Sequence, residues 1–207
     1  MILAAGIARP ATATSYATLN PSDAVSGAIF VWSNLIAQMA TTAGAVRATK
    51  ALGGLKYYWE TWTLEDVSLI TDYGYAGIAN GSFTLTSASL GADTNGVGIK
   101  SDLGAIKLNG STLATIGGFS ASGNVCQIAV DGTAKRLWAR INGTGNWNND
   151  ASADPATGAN GLDISSISGS LYPTLWAAAQ AQYDYAVNLG ALSFRFTAPT
   201  GFVGVPG

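Results

Sequence analysis

The chain has 207 residues, of which 48% are hydrophobic and 11% charged, with a net charge of −2, no histidine and one cysteine. Without histidine there is no Ser-His-Asp or Cys-His pair and no His-ligated metal site, and one cysteine excludes an internal disulfide and a four-cysteine metal site. Lys and Arg are scattered singly, which argues against nucleic acid as a partner, and no apolar run approaches the ~18 residues of a membrane span.

Residues 1–24 are rich in Ala, Thr, Ser and Pro and have little periodicity. The opening stretch has no basic residue ahead of its apolar run, so it reads as an N-terminal arm rather than a signal peptide. Such a segment is either a flexible leader or an arm that docks on a neighbouring subunit. Ile2, Leu3 and Ile7 are the candidate assembly residues, because apolar side chains are costly to leave in water.

From residue 25 the pattern is strand-like. Ala28–Trp32 is a short apolar run, and Ala45–Thr49 follows it. Leu55–Leu64 is dominated by aromatic and β-branched residues, as a pleated, half-buried surface prefers. Further strands are expected at Tyr75–Ala79, Ser82–Thr86, Gly96–Lys100 and Ala105–Asn109. Asn80-Gly81, Asp93–Gly96 and Asn109-Gly110 separate them, and Asn-Gly favours tight hairpins because both residues tolerate positive φ.

The clearest hairpin runs from Asn124 to Asn142, with Val125–Val130 and Lys135–Ile141 as strands and Asp131-Gly132 at the turn. Alternation puts Cys126, Ile128 and Val130 on one face, together with Leu137, Ala139 and Ile141. The opposite face carries Arg136, Trp138 and Arg140. Cys126 therefore reads as a small buried hydrophobe with no base to activate it.

Residues 142–170 form a long loop, which in a compact domain is usually functional or disordered. Strands resume at Leu171–Trp176, Tyr183–Leu189 and Leu192–Phe196, with Ala177–Gln182 expected as loop. Many short strands with regular turn signals predict an all-β sandwich or barrel: one domain over 25–207, preceded by the arm over 1–24.

Gly54–Glu60, Gly74–Ala79, Leu90-Gly91, Val130-Asp131, Arg136–Gly143 and Tyr172–Leu175, in this order, resemble the SPRY (B30.2-like) domain. Leu19–Asp23, Ala45–Thr49, Trp147–Asn149, Ala153–Gly158, Asn188–Gly190, Phe194 and Pro199–Phe202 are similar, more narrowly, to SPRY-type domains of tailed-bacteriophage and prophage structural proteins. The resemblance spans about residues 19–202. It implies a two-sheet antiparallel β-sandwich related to concanavalin-like jelly rolls. It also implies a binding module with no catalytic residue and no cofactor, whose partners meet the loops at one end. Ala139 departs from the pattern, standing where the family often has a larger side chain.

Glycoside hydrolysis needs two acids about 5–5.5 Å apart for retention or about 6.5–9.5 Å for inversion. Glu60 and Glu65 are five apart and fall on opposite strand faces, and Asp66 points away from Glu65. Asp150, Asp154 and Asp163, with Asn146, Asn148 and Asn149, offer oxygen ligands for Ca2+, but their spacing fits no EF-hand and turn-shaping explains them better.

The candidate binding surface is Trp138, Arg136, Arg140, Trp147, Asn148, Asn149, Tyr73 and Tyr75. Aromatic faces suit sugar rings and protein hot spots. The plainer alternative is that Trp147 folds over the sheet and covers Trp138. Two functions follow. One is a non-enzymatic virion structural protein in a tail fibre, baseplate or capsid-surface position. It would be multicopy or homo-oligomeric, contact other virion proteins, and face a host glycan or protein. The other is a secreted bacterial lectin-like module.

Overall fold

The computed structural model describes residues 15–39, 41–64, 74–86, 89–179 and 184–207. Ile2, Leu3, Ile7 and Tyr73 lie outside these, as do Glu65 and Asp66. In chain order the strands are β1 (Leu19–Ala24), β2 (Ala28–Val31), β3 (Ile36–Met39), β4 (Gly44–Ala48) and β5 (Lys56–Thr63). The middle of the chain gives β6 (Gly74–Asn80), β7 (Gly96–Lys100), β8 (Ala105–Leu108) and β9 (Ser111–Thr115). The remainder gives β10 (Cys126–Asp131), β11 (Arg136–Ile141), β12 (Leu162–Asp163), β13 (Leu171–Ala177) and β14 (Asp184–Asn188), with one 3-10 turn at Trp147–Asn149.

They form two antiparallel sheets of seven strands, ordered β1-β4-β13-β6-β7-β8-β9 and β12-β11-β10-β5-β14-β3-β2. The facing sides interdigitate as expected of a sandwich. Val46, Ile78, Val97, Ile99 and Ile106 from the first sheet meet Trp59, Ile128, Val130 and Leu137 from the second, all at most 1% exposed. The hairpin β10–β11 keeps the predicted faces: Cys126, Ile128, Val130, Leu137 and Ala139 are core, and Ile141 packs against it.

Four sequence expectations change. Leu19–Ala24, read as arm, is the edge strand β1 on β4, because Leu19 is buried in the core and Asp23 pairs with Arg47 at 2.8 Å. Ser82–Thr86 is not a strand: Asn80 Oδ1 accepts the Ser82 N–H, and the chain folds Phe83 and Leu90 over the outer face of the first sheet. Gly98 permits that cover, since a Cβ there would strike the Leu90 carbonyl. Leu192–Phe196 is not a strand either, because its N–H groups at Arg195 and Phe196 bond to the Glu60 carboxylate. Strands β3 and β9 were not anticipated, nor was the two-residue β12, which lies inside the expected 142–170 loop.

Candidate functional site

The outer face of the second sheet is built from cross-strand rows, read directly from the register. Tyr58, Ala129 and Trp138 make one row, and Asn188, Glu60, Gln127 and Arg140 the next. Then come Trp62, Ala186, Ile36 and Val31, and finally Asp184, Gln38 and Ile29. The first two rows are covered by the chain itself. The last two are open.

The covered half contains most of the residues nominated from sequence. Trp138 is fully buried beneath Trp147, Ala153 and Phe202, and its indole N–H donates to the Ala159 carbonyl at 2.8 Å. Gly161 lies so close that a Cβ there would strike the indole ring. Trp147 is itself buried, with the Arg140 guanidinium 4.3 Å from its ring. Asn148, at φ 55°, turns its amide onto β11. Its Oδ1 accepts the Ala139 N–H at 2.9 Å and its Nδ2 donates to the Leu137 carbonyl at 3.2 Å, so the side chain continues the ladder where β12 stops. Tyr75 is buried on the other sheet, edge-on to Trp176. Trp138, Trp147, Asn148 and Tyr75 therefore form no binding surface: each spends its contact area inside the molecule. Arg136, Arg140 and Asn149 remain at the periphery, Arg136 at 3.7 Å from Asp163.

Electrostatics on this half are internal. Burial pulls the Arg140 pKa down and pushes the Tyr58 and Cys126 pKa values up. Cys126, fully buried, is held as a thiol. The loop aspartates shape turns: Asp150 accepts from the Ser152 N–H and Asp154 from the Ala156 N–H, both at 2.9 Å. Among the described residues no group of three His, Cys, Asp or Glu side chains is arranged to hold a metal.

The open half is a groove of about 320 Å³ between the β2–β3 hairpin, the end of β5, β14 and the C-terminal segment. Val31, Trp32, Ile36, Trp62, Leu64 and Leu192 line it. Trp32 is 76% exposed, and Ile29 beside the groove is 50% exposed. Arg195 stacks on Trp62 at 4.3 Å, and Asp184, which accepts from Gln38 Nε2 at 3.0 Å, supplies an acid at the rim. An apolar, aromatic concavity with one charge of each sign at its margin can bury apolar surface of a partner or ligand and orient it by its polar rim.

The hairpin tip holding Trp32 is conformationally costly. Trp32, Ser33 and Asn34 have φ of 54°, 56° and 63°. Ser33 and Asn34 supply the mirror-image turn that hairpins favour, closed by the Leu35 N–H on the Trp32 carbonyl at 3.2 Å. Trp32 gains nothing from positive φ, which is an outlier for a bulky residue. The Asn34 carbonyl accepts from the Leu19 N–H and the Leu35 carbonyl from the Val187 N–H, both at 2.9 Å, so β1 and β14 hold the tip in place. Sequence reasoning missed this site. Its signal was that Ala28–Val31 is apolar at every position, leaving Ile29 and Val31 facing away from the core.

No protein-family model matches the chain, and no curated protein matches it in sequence. Solved structures match its fold. The SPRY domain of human HERC1 superposes with a TM-score of 0.61 at 13% identity, over 82% of this chain and 96% of that one. The TRIM65 PSpry domain gives a TM-score of 0.59 at 11% identity, over 84% and 92%. Stonustoxin gives a TM-score of 0.54 at 14% identity, over 84% of this chain and 27% of the toxin chain. The chain is thus an all-β sandwich of SPRY-like fold; identities this low speak to fold alone.

Proposed function

We propose that this chain is a non-enzymatic structural protein of a tailed-bacteriophage virion. It displays its SPRY-like sandwich on the particle as a binding and adhesion module and is attached through its N-terminal arm. The observation that carries the binding role is the open groove: exposed Trp32, Val31 and Leu192 border one concavity, and a contiguous exposed apolar face of this kind marks an interaction site. The virion context rests on the resemblance of segments such as Ala153–Gly158 and Pro199–Phe202 to phage SPRY-type domains. Only 11% of residues are charged, so the surface depends little on ion pairs and tolerates salt. Many copies would raise avidity for a host surface without tight single-site binding.

The test is mass spectrometry of purified particles from a producing host, combined with light scattering of the purified chain. Several copies per particle and a self-associating chain are expected. A monomeric chain absent from particles, or turnover of any substrate by it, overturns the reading.

The exposure of Trp32 favours a second reading, in which the groove is the sugar platform of a lectin-like module. Glycan-array binding lost in Trp32→Ala would support that reading, and a flat array would remove it.

A further inference from the structure

We infer that the groove and the free edge of β2 receive residues 2–7 of a second copy of this chain, added as an extended segment along β2. The inference rests on the proposed arm-mediated assembly and names the arm's receptor.

Three observations carry it. The first is the contrast among the four sheet edges. An exposed edge strand is a template for another chain unless it is blunted. Edge β1 carries Pro21, a register shift and the charged Asp23. Edge β12 is two residues long. Edge β9 is mostly Ser and Thr, with a register shift against β8. Edge β2 has none of these devices: Ala28–Val31 has no charge, no proline and an unbroken register with β3. Among the described residues nothing pairs with its outer side.

The second is continuity. Ile29 and Val31, on the outer face of β2, run directly into Trp32 and the groove. An added strand would therefore gain backbone hydrogen bonds from the edge and apolar burial from the groove, the two components of strand addition.

The third is the segment itself and where it departs. Ile2, Leu3, Ala4, Ala5, Gly6 and Ile7 carry no charge, and small residues separate Leu3 from Ile7. The described chain begins at Ser15, and its first residues contact segments that border the groove. The Ser15 carbonyl accepts from the Gly207 N–H at 2.7 Å, and the Tyr16 ring lies on Gly190, two residues before Leu192. Leu19 then bonds to the hairpin tip at Asn34. Extended, the segment reaches up to about 46–50 Å, enough to cross to an adjoining copy. Reciprocal exchange of this kind is a low-cost route to assembly.

The experiment uses the full chain in two single variants, Leu3→Cys and Ile29→Cys, mixed and oxidised mildly. Cys126 is fully buried, so the introduced thiols report without background. The expected result is a disulfide between the two variants. Adding Val31→Glu to the Ile29→Cys chain should cut its yield about tenfold or more, with the melting temperature unchanged. If light scattering shows assembly but the two thiols do not join, the groove is not the receptor, while arm-mediated assembly stands. A Leu3→Cys/Ile29→Cys double variant that closes within one chain at high dilution overturns the second copy as occupant. A chain that is monomeric at every concentration and absent from particles overturns both readings.

Discussion

Glu60 holds Arg195 by its backbone: Oε2 accepts the Arg195 N–H and Oε1 the Phe196 N–H, both at 2.8 Å. The carboxylate is fully buried on β5, and Oε1 also accepts the Tyr58 hydroxyl at 2.9 Å. Gln127 Nε2 donates to that hydroxyl and Arg140 Nε to Gln127 Oε1, so one chain of hydrogen bonds crosses the sheet beneath the C-terminal segment. The contact links fold to site, because Arg195 anchored here stacks on Trp62 in the groove. Glu60→Gln replaces one acceptor oxygen with a donor amide facing a backbone N–H. The expected cost is about 1–3 kcal/mol, the price of a buried polar group left unpaired. Urea unfolding measures it; a midpoint equal to the parent's would mean the carboxylate is not the anchor.

Asn148 does the work of a strand residue with a side chain. Asn148→Ala removes both amide bonds to β11 and leaves the Ala139 N–H and Leu137 carbonyl unpaired in a buried place. A loss of about 1–3 kcal/mol is expected. Asn148→Asp keeps the acceptor for Ala139 but sets a carboxylate against the Leu137 carbonyl, so it should be worse than Asn148→Ala. The reverse order in thermal unfolding would argue against the assigned roles.

How far these roles were legible in the sequence depends on what holds each residue. The two-fold period of Val125–Val130 and Lys135–Ile141 placed Cys126, Ile128 and Leu137 in the core, because strand alternation is local. The same alternation put Trp138 and Arg140 on the outer face, which is correct for the strand, but exposure depends on what packs above. Trp138 is covered by residues 147–161 and by Phe202, and no pattern around Trp138 reports contacts that distant. Leu192–Phe196 alternates like a strand, yet its Arg195 and Phe196 N–H groups go to one carboxylate more than 130 positions earlier. The groove was hidden for the opposite reason: Ala28–Val31 looked like core, and only the register on β3 shows that half of it faces out.

Asp163 should make stability depend on acidity in one direction. Its carboxylate is exposed and accepts the Ser165 N–H at 2.9 Å, which holds its pKa below the usual aspartate value, with Arg136 adding a smaller pull. A depressed folded-state pKa means the bonus is present above the unfolded-state value and lost as pH falls through the lower folded one. Asp163→Asn should therefore be less stable than the parent near neutrality and converge on it in acid. Parallel stability-versus-pH curves for the two proteins would contradict this.

Trp32 should separate stability from binding. At φ 54° a bulky aromatic residue is strained, by about 1–3 kcal/mol for such sparsely populated conformations. At 76% exposure it recovers little of that by burial. Asparagine tolerates the left-handed region far better. Trp32→Asn is accordingly expected to leave the melting temperature unchanged or raise it by a few degrees, while abolishing whatever the groove binds. A residue kept against its backbone preference, with no structural return, is the signature of function set against stability. Calorimetry of the variant decides the first half and light scattering the second. If Trp32→Asn melts lower than the parent, the indole is holding the hairpin together, and its exposure has a structural explanation instead of a binding one.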